Sequence, residues 1–491
     1  AFSNDRRRDG PILMVLCGYH TNTRPVEKWP HPVRLRRADL RQRINGNLSV
    51  RYSAAGLSSF SGLELIRQYV TQMGVADVIR RQAQRALPSC DFGRVSMVLL
   101  VLALLITGGR RVRHIGYLES DALVKRFCGL AQVPAPRTVG RWLGGFDHSG
   151  VEALLSLNEV LVGRVIRDSH VRRLTLDVDG SVVSTGLQVE GARRGYNPHR
   201  RKVPSYYPIT AYEAQTGQIL RVHNRAGNVH DGKASLGFLQ AIFAQLDASL
   251  PRRPVLEMRM DGAFFRKEIV DLLDDEGVEY AIKVPFYPWL GLKEPIAKRR
   301  RWSRVDETVD CFDMRLVIPT WERHMRVVVY RKRVAHRTAK NFQLDLFDPD
   351  DGYYEYAAVV TNKAVTGRTL WFFMCGRGTH EKVYGELKSG FAFDCVPTQR
   401  YPANSAWQVL SIIAFNLIRG FQAKTTAEGR RTNRKRRTLR RFEQIHTLRY
   451  RFLNRAGLLV HPNGRATLDV GNNLMVRDRF ERICRGLAKA A

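Results

Sequence analysis

The apolar positions of this chain change period twice. From about residue 56 to 165 they recur at helical spacing. Leu63, Ile66, Tyr69 and Val70 share one face, and the run 97–106, apolar on every side, reads as a buried helix. Asp121-Ala-Leu-Val-Lys-Arg-Phe-Cys-Gly-Leu, a break at Pro134-Ala-Pro136 and Arg137-Thr-Val-Gly-Arg-Trp-Leu predict two short helices around a turn. Arg137 and Arg141 open the second, the layout of a helix-turn-helix; an ordinary αα-hairpin in a bundle gives the same pattern.

Alternation then takes over. Residues 174–183, 206–213 and 218–223 read as strands. An amphipathic helix is predicted over 231–250 with Asp231 at its cap, then a strand 255–260, a helix 264–275 and a strand 278–284. Three strands followed by alternating helix and strand predict an α/β domain with a mixed sheet. Residues 286–370 are rich in Trp, Tyr and β-branched types and read as an inserted β-rich unit. Helical spacing returns at 376–388, and 407–421 is a strongly apolar helix expected to pack on the sheet. Five regions result: an arm 1–55, a helical region 56–165, an α/β domain from 166–285 and 371–422, the insertion 286–370 and a basic C-terminal region 423–491. No internal repeat is present at the usual periods.

Composition narrows the partners. The 491 residues are 44% hydrophobic, ordinary for a folded protein, but 80 Lys and Arg stand against 46 Asp and Glu, a formal charge of +34. Such an excess favours a long polyanion, nucleic acid before anionic membrane. Arg outnumbers Lys, which suits bidentate contacts to phosphates and base edges. Arg34, Arg36, Arg37, Arg41, Arg43 and Arg51 mark the arm as a backbone-following or poorly packed extension. The seven cysteines are scattered, odd in number and never spaced C-x-x-C, which excludes a disulfide framework and a zinc ribbon. The run 97–106 is too short to span a bilayer, and 11–17 lacks the length and cleavage site of a signal peptide. No membrane is expected, and the expected compartment is the cytoplasm.

The chemistry is carried by acids. On a helix through 376–388, Arg377, Glu381 and Lys388 fall within roughly 40° of one another, and Glu386 lies about 140° from Glu381. A carboxylate flanked by two cations on a rigid element suits a metal-binding acid beside a phosphate; a solvated face with an i,i+4 ion pair has the same spacing. In Leu176-Asp-Val-Asp-Gly-Ser, Asp177 and Asp179 share a strand face, with Asp179 nearer the open end. Asp261 follows a second apolar strand in Met258-Arg-Met-Asp-Gly-Ala. Ligands of α/β sheets gather at such strand ends. Three converging carboxylates suit two divalent cations about 3.5–4 Å apart in phosphodiester chemistry. Oxygen-only ligands favour Mg²⁺, with Mn²⁺ able to substitute.

Together these stretches resemble an insertion-sequence DDE transposase with an RNase H-like catalytic domain, of the branch with a Y-x2-R-x3-E-x6-K signature. Arg377, Glu381 and Lys388 match its last three positions, and Met374 stands where the tyrosine belongs. Gly195-Tyr-Asn-Pro-His-Arg-Arg-Lys and Gly227-Asn-Val-His are further matches. The resemblance covers roughly 120–460 and implies Asp179, Asp261 and Glu381 as a metal-binding catalytic triad. It implies binding of terminal inverted repeats and target DNA as double strands, Mg²⁺-dependent cleavage and strand transfer, and a homodimeric synaptic complex in the bacterial cytoplasm at the nucleoid. Arg377 and Lys388 would clamp phosphates. Arg193, Arg194, Arg200, Arg201 and Lys202 would line the DNA channel, and His230 would brace the site or cap the helix that follows. Excision through a hairpin with a flipped base makes Trp302 and Trp321 candidates for stacking; both also fit a core. An RNase H-like nuclease without strand transfer, or a DNA-binding protein that no longer cuts, would share these residues.

Overall fold

Leu63, Ile66, Tyr69 and Val70 are all buried along α1 (Leu63–Gln72), as their spacing requires. The computed structural model describes Tyr52 and residues 56–489, apart from 84, 187, 196, 198, 199, 201, 230, 231, 233, 234 and 335–353. The arm expected at 1–55, Tyr52 apart, lies outside the described residues. The apolar run becomes the centre of α2 (Arg94–Thr107), buried throughout from Met97 to Thr107. A helix apolar on all sides must be surrounded by protein.

The candidate helix-turn-helix forms two helices. In α3 (Ala122–Cys128) the Asp121 carboxylate accepts from the Leu123 and Val124 N–H groups, an N-cap. In α4 (Pro136–Gly144) proline occupies the first turn, where its missing N–H costs nothing. Val139, Trp142 and Leu143 are buried, and the Trp142 indole donates to the Pro88 carbonyl at 3.0 Å. Arg137 and Arg141, one turn apart, are exposed. A long helix, α5 (His148–Asp168), follows.

The sheet begins with β1 (Arg173–Gly180), β2 (Ile209–Glu213) and β3 (Gln218–His223). Helix α6 (Leu236–Ser249) starts later than the sequence suggests, with Ser235 at its cap; Asp231 lies outside the described residues. Then come β4 (Val255–Met260), α7 (Lys267–Asp275) and β5 (Glu279–Val284). The described residues of 286–370 do not form a sheet of their own. They supply β6 (Ser303–Arg304), β7 (Val309–Ile318), β8 (Arg323–Arg333) and β9 (Tyr354–Thr361), which extend the same mixed sheet. Its order is β3-β2-β1-β4-β5-β9-β8-β7-β6.

Three helices follow: α8 (Gly367–Cys375), α9 (Gly378–Phe391) and α10 (Tyr401–Thr425). The apolar helix expected to pack on the sheet is α10, buried along both sides from Ala403 to Gln422 because it lies between the sheet edge and the helices. Two buried asparagines meet there. Asn416 Oδ1 accepts from the Ile219 N–H at 2.8 Å, and Asn158 Nδ2 donates to the Leu220 carbonyl at 2.9 Å. Their side chains satisfy backbone groups that an edge strand leaves open. Ile445, Leu448, Phe452 and Ile483 of the C-terminal region join the core of α1, α2 and α10. Among the described residues no single helix is long and apolar enough to cross a membrane.

Register places the acids. β1 and β4 are parallel, with Asp177 opposite Arg259; β4 and β5 are parallel, with Met260 opposite Ile282; Asp179 faces Thr210 of antiparallel β2. One position on, Thr210, Asp179, Asp261 and Lys283 stand in one row across four strands. The two faces differ. Leu174, Leu176, Val178, Leu256, Met258, Met260, Tyr280 and Ile282 form the apolar core under α6 and α7. The alternate positions Asp177, Asp179, Arg259, Asp261 and Lys283 put a charged face on the other side, as a period of two dictates.

Candidate active site

Asp177 and Asp179 share a face and have different environments. Asp177 and Arg259 are both fully buried, and the guanidinium makes a two-pronged pair, Nε to Oδ1 and Nη2 to Oδ2, each 2.6 Å. Arg259 Nη1 also donates to the carbonyls of Phe373 at 3.0 Å and Lys435 at 2.9 Å. All of Asp177's charge is thereby committed inside the fold. Asp179, two residues on, reaches the opening.

Asp179 and Asp261 converge on one cation. Arg377 Nη2 lies 3.0 Å from Asp179 Oδ2 and 3.5 Å from Asp261 Oδ2. Turns fix both acids. Asp179 Oδ1 accepts from the Gly180 N–H at 2.9 Å, and Asp261 Oδ1 accepts from Ala263 N–H at 3.0 Å. Arg377 has helical dihedrals at the start of α9, so exposed Glu381 follows it by one turn. Burial opposes the charge on Arg377, but Asp179 and Asp261, then Asp177 and Glu381, outweigh it and raise its basicity. Lys283, which periodicity did not single out, belongs to the same group. Burial and then Arg377 lower its basicity, against Asp261, Glu381 and Asp179. Its only sequence signal is register with Asp261, which exists once β4 and β5 are paired.

Behind the acids runs an uncharged hydrogen-bond chain. The Tyr384 hydroxyl donates to the Asp179 carbonyl at 2.7 Å and accepts from Thr210 Oγ1 at 2.7 Å. Thr210 has then spent its hydrogen, so His380 Nε2, 2.9 Å away, must be the donor. That tautomer leaves Nδ1 without hydrogen, and Nδ1 is buried with no hydrogen-bond partner among the described residues. Burial, then Arg377 and Arg259, push His380 down to about 3, so the imidazole is neutral at physiological pH. It stacks between Tyr212 (5.5 Å) and Tyr384 (4.9 Å). Tyr384→Phe is expected to cost about 1–2 kcal/mol of stability by opening this chain. The denaturant midpoint of the variant checks this.

Other sequence candidates have particular places. Lys388 Nζ donates to the Val182 carbonyl at 2.9 Å, tying α9 to the loop after β1. Glu386 is buried, pairs with Arg419 and accepts from the Ile445 N–H at 2.8 Å, on the side of α9 away from Glu381. Met374 is partly buried against Leu370 and Phe373. The motif glycines Gly195 and Gly227 allow two loops to touch: a Cβ on Gly195 would lie 1.9 Å from the Gly227 carbonyl oxygen. Arg193, Arg194, Arg200 and Lys202 are exposed, while Arg201 and His230 lie outside the described residues. Trp302 is partly buried, edge-on to Phe312 at 4.8 Å with the Arg331 guanidinium 4.5 Å over its ring. Trp321 packs on Phe265 at 4.9 Å. In the same segment Tyr287 and Trp289 are more open, 47% and 58% exposed, with their rings stacked at 6.1 Å. They follow Pro285, which lies against Gly262 beside Asp261.

The oxygen-only donors Asp179, Asp261 and Glu381 fit a hard divalent cation chemically. The two aspartates already converge on one positive charge, that of Arg377. Among the described residues no three His, Cys, Asp or Glu side chains are gathered closely enough to hold an ion.

The family described as transposase DDE domain, group 1, matches residues 42–491. The chain belongs to this family of DDE transposases. No curated relative matches. Among solved structures the chain is similar to piggyBac transposase in a synaptic complex with hairpin DNA, at 12% identity, over 79% of this chain and 77% of that one, with a TM-score of 0.38.

Proposed function

We propose that this transposase cuts and joins double-stranded DNA at the ends of an insertion sequence, with Asp179, Asp261 and Glu381 as its catalytic acids. The observation that carries the reading is the convergence of two strand-end aspartates on Arg377, with Glu381 one turn further along α9. The order β3-β2-β1-β4-β5, with β2 alone reversed, supports an RNase H-like catalytic domain.

The three acids would hold Mg²⁺, or Mn²⁺ in its place, as a pair of ions that activates the attacking oxygen and stabilises the leaving one. Arg377 keeps Asp179 and Asp261 from repelling each other and is the cation nearest to an incoming scissile phosphate. Lys283 adds a second positive charge in the same row. The chain from His380 to Tyr384 fixes the Asp179 backbone without adding charge. Water is the nucleophile of the first cut, and the freed 3′-hydroxyl attacks the opposite or target strand. Lys388 steadies the loop after β1, and Arg194, Arg200 and Lys202 extend the basic surface toward the DNA. Arg137 and Arg141 present a basic helix face to the terminal inverted repeats. The working assembly is a homodimer pairing two ends in the bacterial cytoplasm.

Tyr287 and Trp289, rather than the packed Trp302 and Trp321, offer ring faces to an unstacked base. Trp289→Ala is expected to weaken binding of a substrate with an unpaired terminal base by about 1–3 kcal/mol, leaving fully paired duplex unaffected. A competition titration between the two substrates reads this. The whole reading is tested by incubating the protein with its own terminal repeats and Mg²⁺. Nicks followed by joined products are expected. Nicks that never join would reduce the protein to a nuclease, and binding without nicks would contradict the reading.

A further inference from the structure

Residues 430–441, Arg-Arg-Thr-Asn-Arg-Lys-Arg-Arg-Thr-Leu-Arg-Arg, contain eight cations and no acid. Such runs are ordinarily solvated and mobile. This one is fastened at every turn. Glu428 and Gly429 pair with Arg441 and Arg440, and Arg430 N–H donates to the Leu439 carbonyl at 2.8 Å. Asn433 Oδ1 accepts from the Arg437 N–H at 2.6 Å and closes the tip. Leu439 N–H bonds the Gln215 carbonyl at 2.8 Å, and buried Arg259 holds the Lys435 carbonyl at 2.9 Å. The tip also lies against Gly376, where a Cβ would come within 2.0 Å of the Lys435 oxygen. Arg377 is the next residue.

Most cations of this hairpin have no acid partner among the described residues. Only Arg436 pairs with an acid among the described residues, Nε to Glu257 Oε1 at 3.3 Å. The Nε atoms of Arg430 and Arg437 are buried with no hydrogen-bond partner among the described residues. Burial, then Arg437 and Arg441, lower the basicity of Arg430. On the sheet face beneath, by contrast, Arg173 and Lys363 both pair with Glu257 and Glu279. An ordered hairpin that crowds like charges without counter-ions is unfavourable alone and becomes favourable against a polyanion.

We propose that the hairpin 428–441 is a docking surface for the phosphate backbone of duplex DNA, continuous with the acid site through Arg259 and Gly376. The proposal rests on the reading that the protein acts on DNA. It assigns the hairpin a sequence-independent role: holding the duplex beyond the position that is cut. Arg259 then joins two tasks, neutralising Asp177 beside the catalytic strand ends and fixing the tip that receives the backbone.

The test replaces three exposed cations, Arg431→Gln, Arg434→Gln and Arg441→Gln together, in the full chain. Binding to a duplex carrying the terminal repeat is measured across a series of salt concentrations, with nicking scored on the same duplex. The slope of log K against log salt should fall by about 2.7, at about 0.9 for each phosphate no longer neutralised. Melting should be unchanged or slightly raised, because these side chains make no ion pairs among the described residues and their removal relieves like-charge repulsion. Arg434→Gln alone should lower the slope by about 0.9 and keeps the test readable if the triple variant loses stability. An unchanged slope with normal wild-type nicking overturns this inference and leaves the catalytic reading standing. A reduced slope in a protein that never nicks does the reverse, and a wild type that does not bind duplex overturns both.

Discussion

Arg259→Met is expected to destabilise the protein by about 3–5 kcal/mol, because it strands the Asp177 carboxylate inside the sheet without a counter-charge. Both side chains are fully buried, and the pair is bidentate. Adding Asp177→Leu to Arg259→Met should return a large part of the loss. Replacing a buried pair by apolar groups is often close to neutral, whereas breaking it by halves is not. Recovery stays incomplete, since Arg259 also satisfies the Phe373 and Lys435 carbonyls. Denaturant midpoints of the wild type, both single variants and the double variant supply the cycle. Additive losses would show that the pair does not behave as a unit.

Removing one of the three proposed catalytic acids should have the largest effect on function. Glu381→Gln, Asp179→Asn and Asp261→Asn are each expected to reduce nicking by roughly 10³-fold or more. Double variants should be little worse than the singles, because groups acting as a unit are grossly non-additive. DNA affinity should be kept or slightly raised, since each substitution removes a negative charge near the phosphates. Glu386→Gln is a poor control despite lying on the same helix. Its carboxylate is buried against Arg419 and the Ile445 N–H, so its loss is read as instability. A Glu381→Gln protein that still nicks would remove the third acid from the account.

Much of this was readable from local pattern, and the remainder depended on pairing between distant segments. Periodicity of two put Asp177 and Asp179 on one face, and periodicity of 3.6 turned Glu386 away from Glu381, because both rules act within a single element. Neither rule could separate Asp177 from Asp179. Their difference comes from Arg259, 82 residues away, and from the register that sets β1 beside β4. Lys283 was invisible for the same reason. The β-rich character of 286–370 was legible, but its continuation of the sheet depends on β9 pairing with β5. Trp302 and Trp321 were reasonable stacking candidates by type, yet only packing reveals which rings stay open. The basic run 430–441 was plain in composition. That its charges are ordered and uncompensated follows from the contacts of Arg259, Asn433 and Gln215.

The central claim is that Asp179, and not Asp177, is the first reacting acid. Asp177→Asn and Asp179→Asn, purified in parallel and assayed for melting and for Mg²⁺-dependent nicking of the terminal repeat, test it most directly. Asp179→Asn should melt close to the wild type and make no nicks. Asp177→Asn should melt well below it, yet its folded fraction should still cut at low temperature. A stable Asp177→Asn protein without activity, beside an Asp179→Asn protein that cuts, would contradict the account.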